Sequence, residues 1–85
     1  MNESEVIARA EALPDHYADR IRPEDLDGAR SMAGAGEWQE LVDLVVASLG
    51  LTRRQVTVAE RDELRSLLAA MNSPQDGIAA LNVAG

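Results

Sequence analysis

The chain contains no cysteine, no phenylalanine and no lysine. Absence of cysteine removes disulfides and thiolate metal sites as aids to a small core, and it fits a cytoplasmic protein. Absence of phenylalanine leaves Tyr17 and Trp38 as the only aromatics. With aromatic and β-branched residues sparse and alanine and leucine abundant, the composition favours helix over sheet. An all-arginine basic set fits a GC-rich genome. The single histidine, His16, eliminates most histidine-based mechanisms at once. Long apolar runs are missing too: the longest, Leu41 to Leu49, is broken by Asp43 and Ser48 and falls far short of the roughly 20 residues that span a bilayer. The opening Met1-Asn2-Glu3-Ser4-Glu5 is acidic, whereas a targeting segment would be basic. Positive charge is scarce overall, 8 arginines against 15 acids giving a net charge of -7. Such a chain repels a phosphate backbone and an anionic membrane and attracts a basic partner.

What is present reads as one helical domain over residues 1–85. A chain this short hides only about 60% of its unfolded surface, so its stability margin is modest. Asn2 with Glu5 signals a first helix, carried by Val6, Ile7, Ala10 and Leu13. Pro14 is expected to end or kink it, with a short helical turn restarting there and Tyr17, Ala18 and Ile21 facing inward. Arg22-Pro23-Glu24-Asp25 marks a second start, with proline suited to the first helical position and the acids to the positive end of the helix dipole. Gly34-Ala35-Gly36 breaks that run. The third helix, Glu37 to Leu49, has an apolar stripe of Trp38, Leu41, Val42, Val45 and Leu49, and Gly50 is expected to stop it in the left-handed conformation. Thr57-Val58-Ala59-Glu60 fits a capping box ahead of Leu64, Leu67, Leu68 and Met71. Asn72-Ser73-Pro74 closes the fourth helix, a last short helix covers Ile78 and Leu81, and Val83-Ala84-Gly85 is expected to fray. The sum is an all-α fold, an irregular bundle of four to five short helices.

Catalytic and metal chemistry find no footing. His16 stands between Asp15 and Asp19, but a metal needs about three or four convergent ligands and nothing else is pinned to that spot. No metal and no cofactor are expected. Ser31, Ser48, Ser66 and Ser73 have no nearby histidine and no Gly-x-Ser-x-Gly elbow. Gly34-Ala35-Gly36 is too short for a phosphate loop. No Asp-Ser pair exists for a phosphopantetheine arm, which excludes a carrier protein. In the helix from Val58, Glu60, Asp62 and Glu63 cancel Arg61 and Arg65, so it is no DNA recognition helix, and the arginines read as local partners of acids. Glu24, Asp25 and Asp27 are explained as helix N-terminal charge. Glu37, Glu40 and Asp43 recur at helical spacing on one side of the third helix, an edge that is either a solvated face or a docking surface for a basic partner. Trp38 is either the main core aromatic or an interface anchor, and in a chain without phenylalanine the core role is expected.

Taken as a unit, Gly36-Glu37-Trp38-Gln39-Glu40-Leu41-Val42-Asp43-Leu44-Val45, running on to Leu49, leads through a short connection to Thr57-Val58-Ala59-Glu60-Arg61-Asp62-Glu63-Leu64-Arg65, then Leu68 and Met71. This arrangement, over about Leu26 to Pro74, resembles the small helical immunity proteins of bacterial polymorphic toxin systems, particularly the Maf-type immunity group. The resemblance implies a non-enzymatic protein that binds and occludes a cognate toxin domain. The absence of a catalytic set, the small size and the acidity agree with it. The expected partner is a protein, with a basic toxin domain the implied case, and neither nucleic acid nor membrane. The expected contact surface is Glu37, Glu40 and Asp43 together with Glu24, Asp25 and Asp27. The protein would act as a monomer or homodimer. The alternative is a helical assembly or docking module that works through homodimerisation.

Overall fold

A computed structural model describes residues 1–84. It contains helices α1 (Glu3–His16), α2 (Pro23–Ala35), α3 (Trp38–Thr52) and α4 (Val58–Ala70), followed by a 3-10 helix (Asp76–Ala80). The fold is all-α, an irregular bundle, as composition and periodicity predict. One element is additional: the two-residue strands β1 (Gln55–Val56) and β2 (Asn82–Val83) pair in parallel, Gln55 beside Asn82 and Val56 beside Val83.

Helix starts follow the local sequence. The Glu5 N–H donates to Asn2 Oδ1 at 2.8 Å, and Pro23 opens α2 without sacrificing a needed donor. At α4 the capping box is complete: the Glu60 N–H donates to Thr57 Oγ1 at 3.0 Å, and the Thr57 N–H donates to Glu60 Oε1 at 2.8 Å.

Helix ends depart from expectation in two places, at Pro14 and at Gly50. Pro14 does not stop α1, which runs on to His16. In the last turn proline forfeits only one intrahelical bond, and the Tyr17 N–H still reaches the Leu13 carbonyl at 3.0 Å. No new helix begins at Pro14; residues 17–20 form a turn that delivers Tyr17 and Ile21 to the core. Helix α2 continues through Gly34 and breaks at Gly36, whose φ of 72° is the left-handed end position. Gly50 does not end α3, because the helix continues to Thr52 and the left-handed residue is Arg53, φ 57°. What favours a small residue at position 50 is packing. A Cβ there would lie 3.3 Å from Ala80 Cβ, and one on Gly77 would meet Val46 Cγ1 at 2.8 Å. Both glycines let the 3-10 helix lie close against α3. A non-glycine residue in the left-handed region costs about 1 kcal/mol, and Arg53 is held there by long-range partners. Its guanidinium donates to the Ala80 carbonyl, and its own carbonyl accepts from Asn82 Nδ2 at 2.8 Å. Asn72 ends α4 with φ 55°, as its tolerance of that region predicts. The expected fraying of Val83 and Ala84 is not seen: Val83 is in β2, and the Ala84 N–H donates to the Val56 carbonyl at 2.9 Å. Gly85 lies outside the described residues.

The core is built around α3, which touches α1, α2, α4 and the 3-10 helix. It buries Leu41, Val42, Val45, Val46 and Leu49, together with the Ser48 hydroxyl, which accepts from the Arg22 N–H at 3.1 Å. Of the two aromatics, Tyr17 faces inward as expected, but Trp38 does not take the core role expected of it. Tyr17, 2% exposed, is the aromatic of the core, whereas Trp38 is only partly buried and packs on the core from its edge. Position explains this: Trp38 is the first residue of α3, where little structure precedes it to close over a large ring. Among the described residues no helix is long and apolar enough to cross a membrane.

Candidate functional site: an acidic groove beside Trp38

The beginnings of α1 and α3 and the end of α4 enclose an open groove of about 990 Å³. Val6, Ile7, Trp38 and Met71 supply its apolar lining, and Glu3, Glu37, Glu40 and Asp43 line it with carboxylates. Helical spacing brings Glu37, Glu40 and Asp43 to one side of α3, as the sequence predicts. Glu3 comes from another helix, and no spacing rule announces it.

Among the described residues, no ion pair includes Glu3, Glu37, Glu40 or Asp43. Crowding of like charges has a consequence. A hydrogen bond shared with Glu40, and then the Glu40 charge itself, push the Glu37 carboxyl above its ordinary range. Asp43 is also pushed up, first by desolvation and further by Glu40, while the Ser73 hydroxyl works in the opposite direction. That hydroxyl is buried and lies beside the Asp43 carboxylate, in a geometry that falls short of a full hydrogen bond.

The other three acids expected at the surface lie elsewhere. Glu24, Asp25 and Asp27 sit in the first turns of α2, and the Arg22–Ser48 bond fixes that end of α2 against the late part of α3. At 1.5 Å per residue this is on the order of 10 Å along α3 from Glu40. The six acids therefore form no continuous patch. Asp25 is also buried and engaged: Arg22 Nε donates to Oδ2 at 2.7 Å and a terminal guanidinium nitrogen to Oδ1 at 3.3 Å. Arg22, and then Ser48, hold its carboxyl below the usual range. Glu24 lies 3.6 Å from Arg22 Nε, and Asp27 is exposed.

A second polar cluster is not foreshadowed by the sequence. Glu60 accepts from Arg20 at 2.9 and 2.7 Å through both carboxylate oxygens, and His16 Nε2 lies 2.6 Å from Glu60 Oε2. The Arg20 guanidinium also stacks 4.7 Å from the Tyr17 ring centroid. Hydrogen bonding from Arg20, followed by the Thr57 N–H and His16, holds the Glu60 carboxyl down at about 2. An ionised carboxylate only accepts, so the short contact requires the proton on His16 Nε2. A carboxylate held so low is a poor general base and has no proton to donate near neutrality. The one legible signal was Glu60 as a capping residue; its partners are 40 and 44 positions away. The acids that flank His16 in sequence turn elsewhere: Asp15 pairs with Arg30 at 3.1 Å, and Asp19 lies 3.8 Å from Arg20. Among the described residues no group of three potential ligands could hold a metal ion. Arg61 and Arg65 find a local acid, Asp62, at 3.0 and 4.0 Å.

In comparison with known proteins, no family model, no curated protein and no solved structure matches this chain.

The unpaired acids make a stability prediction. A carboxyl whose pKa is raised on folding binds its proton more tightly in the folded chain, so it opposes folding at neutral pH and ceases to do so once protonated. Glu37→Gln is therefore expected to raise the melting temperature at pH 7, and the gain should shrink as the pH falls toward the carboxylate range. Thermal unfolding followed by circular dichroism at pH 7 and pH 4 checks both parts. A loss of stability at pH 7 would mean that Glu37 has a favourable partner.

Proposed function

We propose that this chain is a non-enzymatic protein-binding module, specifically a cytoplasmic immunity protein that binds and neutralises a cognate bacterial toxin domain. The observation that carries this reading is the set of four unpaired carboxylates beside an apolar groove. Unpaired like charges lower the stability of a folded chain, and they leave the carboxylates free to meet opposite charge from outside it. The partner they suit is a basic protein, such as a toxin domain that acts on nucleic acid and so carries a positive surface. Occluding that surface with acid would block it by charge and by shape together. With a net charge of -7, nucleic acid itself is a poor partner. The resemblance of the segment from Leu26 to Pro74 to small helical immunity proteins gives the reading its specific form.

The test is co-expression with the protein encoded by the adjacent upstream reading frame. Growth arrest by that protein alone, relieved when this chain is present, together with co-elution of the two, is the expected result. A neighbour that is harmless and does not co-elute removes the toxin pairing and leaves the assembly-module reading ahead.

A further inference from the structure

We infer that the groove between α1, the start of α3 and the end of α4 is the seat for one amphipathic helix of a partner protein, whose apolar stripe packs on Trp38, Val6, Ile7 and Met71 while flanking arginines or lysines meet Glu3, Glu37, Glu40 and Asp43. The inference rests on the protein-binding reading above and specifies where and by what chemistry it operates. The first support is composition. The lining combines large apolar side chains with acids of one sign only, and none of the eight arginines of this chain lines it. A purely solvated acidic face would not surround Val6, Ile7, Trp38 and Met71, and a purely apolar dimer seam would not gather four unpaired carboxylates. Helix-in-groove recognition needs this combination, apolar anchors at helical spacing with charged flanks that fix orientation.

Charge also excludes the simplest competing occupant. A second copy docked isologously would bring each acidic rim against its own image, and like charges facing each other across an interface cost several kcal/mol. Trp38 supports the choice as well. It is partly buried at the edge of the core and lines the groove, and a large ring of this kind, amphipathic and partly solvated, is among the side chains most often found as interface anchors.

Trp38 is the single tryptophan, so its emission reports directly on the groove. The probe is a synthetic leucine- and arginine-containing peptide of about 15 residues, long enough for appreciable helix, with leucines at helical spacing on one face. Two companions complete the set: one with the same composition and shuffled leucines, and one with glutamate in place of arginine. The expected result is a blue shift of Trp38 emission on adding the first peptide to the intact chain, with binding weakened roughly tenfold or more by shuffling and abolished by glutamate. The variant E37Q/E40Q/D43N should bind at least roughly tenfold more weakly, since charge pairs across the rim are lost. The control E24Q/D27N, which alters acids at the far end of α3, should bind like the parent. Circular dichroism confirms that both variants remain folded. Equal binding of the shuffled peptide, equal losses in the two variants, or an unchanged Trp38 emission would each overturn the inference, as would sedimentation of the chain as a homodimer dissociated by the peptide. The two readings separate cleanly. Peptide binding without growth rescue retains the groove and removes the toxin partner. Growth rescue that survives E37Q/E40Q/D43N does the reverse.

Discussion

Tyr17→Ala is expected to destabilise the fold by about 3–5 kcal/mol, the range for removing a large buried aromatic side chain. Tyr17 is the buried aromatic in a chain without phenylalanine, it packs in the same cluster as Leu13, Ile21 and α3, and the Arg20 guanidinium covers its ring. The ring beside it, His16, packs edge-on at 4.7 Å and is polar and tied to Glu60, so it is a poor filling for an apolar space. A domain of this size has a total stability on the order of 5–10 kcal/mol, so the variant should be partly unfolded at 37 °C, with a melting temperature lower by roughly 15–30 °C. Tyr17→Phe keeps the ring and its stacking with Arg20 and should keep most of the stability. Trp38→Ala, at the edge of the core, should cost less than Tyr17→Ala, about 1–3 kcal/mol, because that side chain is only partly buried. Urea denaturation of the three variants tests the assignment of the two aromatics. If Trp38→Ala proves the more damaging, Trp38 and not Tyr17 is the aromatic that organises the core.

The second large effect concerns Glu60. Its two oxygens receive the Arg20 guanidinium, His16 and the Thr57 N–H, so one carboxylate joins the end of α1, the turn after it and the start of α4. Glu60→Ala removes the reciprocal half of the α4 capping box, keeping the Thr57 cap itself, and leaves Arg20 without its anion, at an expected cost of about 2–3 kcal/mol at pH 7. Glu60→Gln retains an oxygen for the Thr57 N–H and should lose less. The pH dependence has a definite sign. The folded carboxyl titrates at about 2 against an ordinary 4.5; a depressed acid contributes stability that is full above the ordinary value and is lost as the pH falls toward the folded one. Solvent reaches this pair, since the Arg20 and Glu60 side chains are 19% and 16% exposed. The share lost between pH 5 and pH 2 is then roughly 2 kcal/mol. Urea unfolding curves at a series of pH values should show Glu60→Gln with a shallower acid decline than the parent. Parallel declines would place the acid sensitivity elsewhere. His16, with its side chain 55% exposed, should matter less than Arg20.

Much of the fold was legible because its signals are local. Proline at the first position of α2, the Thr57–Glu60 box and the left-handed Asn72 each depend on residues within a few positions of one another, and each appears where the sequence predicts it. Gly50 misleads for a physical reason. Glycine serves both left-handed ends and close approaches, and only the distant Ala80 reveals that position 50 is the second kind. Arg53 takes the left-handed conformation because Ala80 and Asn82 hold it, and no propensity rule selects arginine for that role. The strands β1 and β2 are two residues each, too short to show any alternation. At the candidate site, spacing along one helix groups Glu37, Glu40 and Asp43, but Glu3, Val6, Ile7 and Met71 join them only through packing. Asp25 shows the converse: an acid that reads as free helix-end charge is committed to Arg22.

The clasp formed by Arg53 with Asn82, 29 residues apart, and by β1 with β2 closes around α4. It ties the chain after α4 to the chain before it, so α4 cannot swing away from α3 without first opening the clasp. Ala70 and Met71, at the end of α4, form one wall of the acidic groove. The clasp thus restrains this wall of the groove when the chain folds. A partner meets a backbone that has less freedom left to lose there, and the contacts it makes register more fully as affinity.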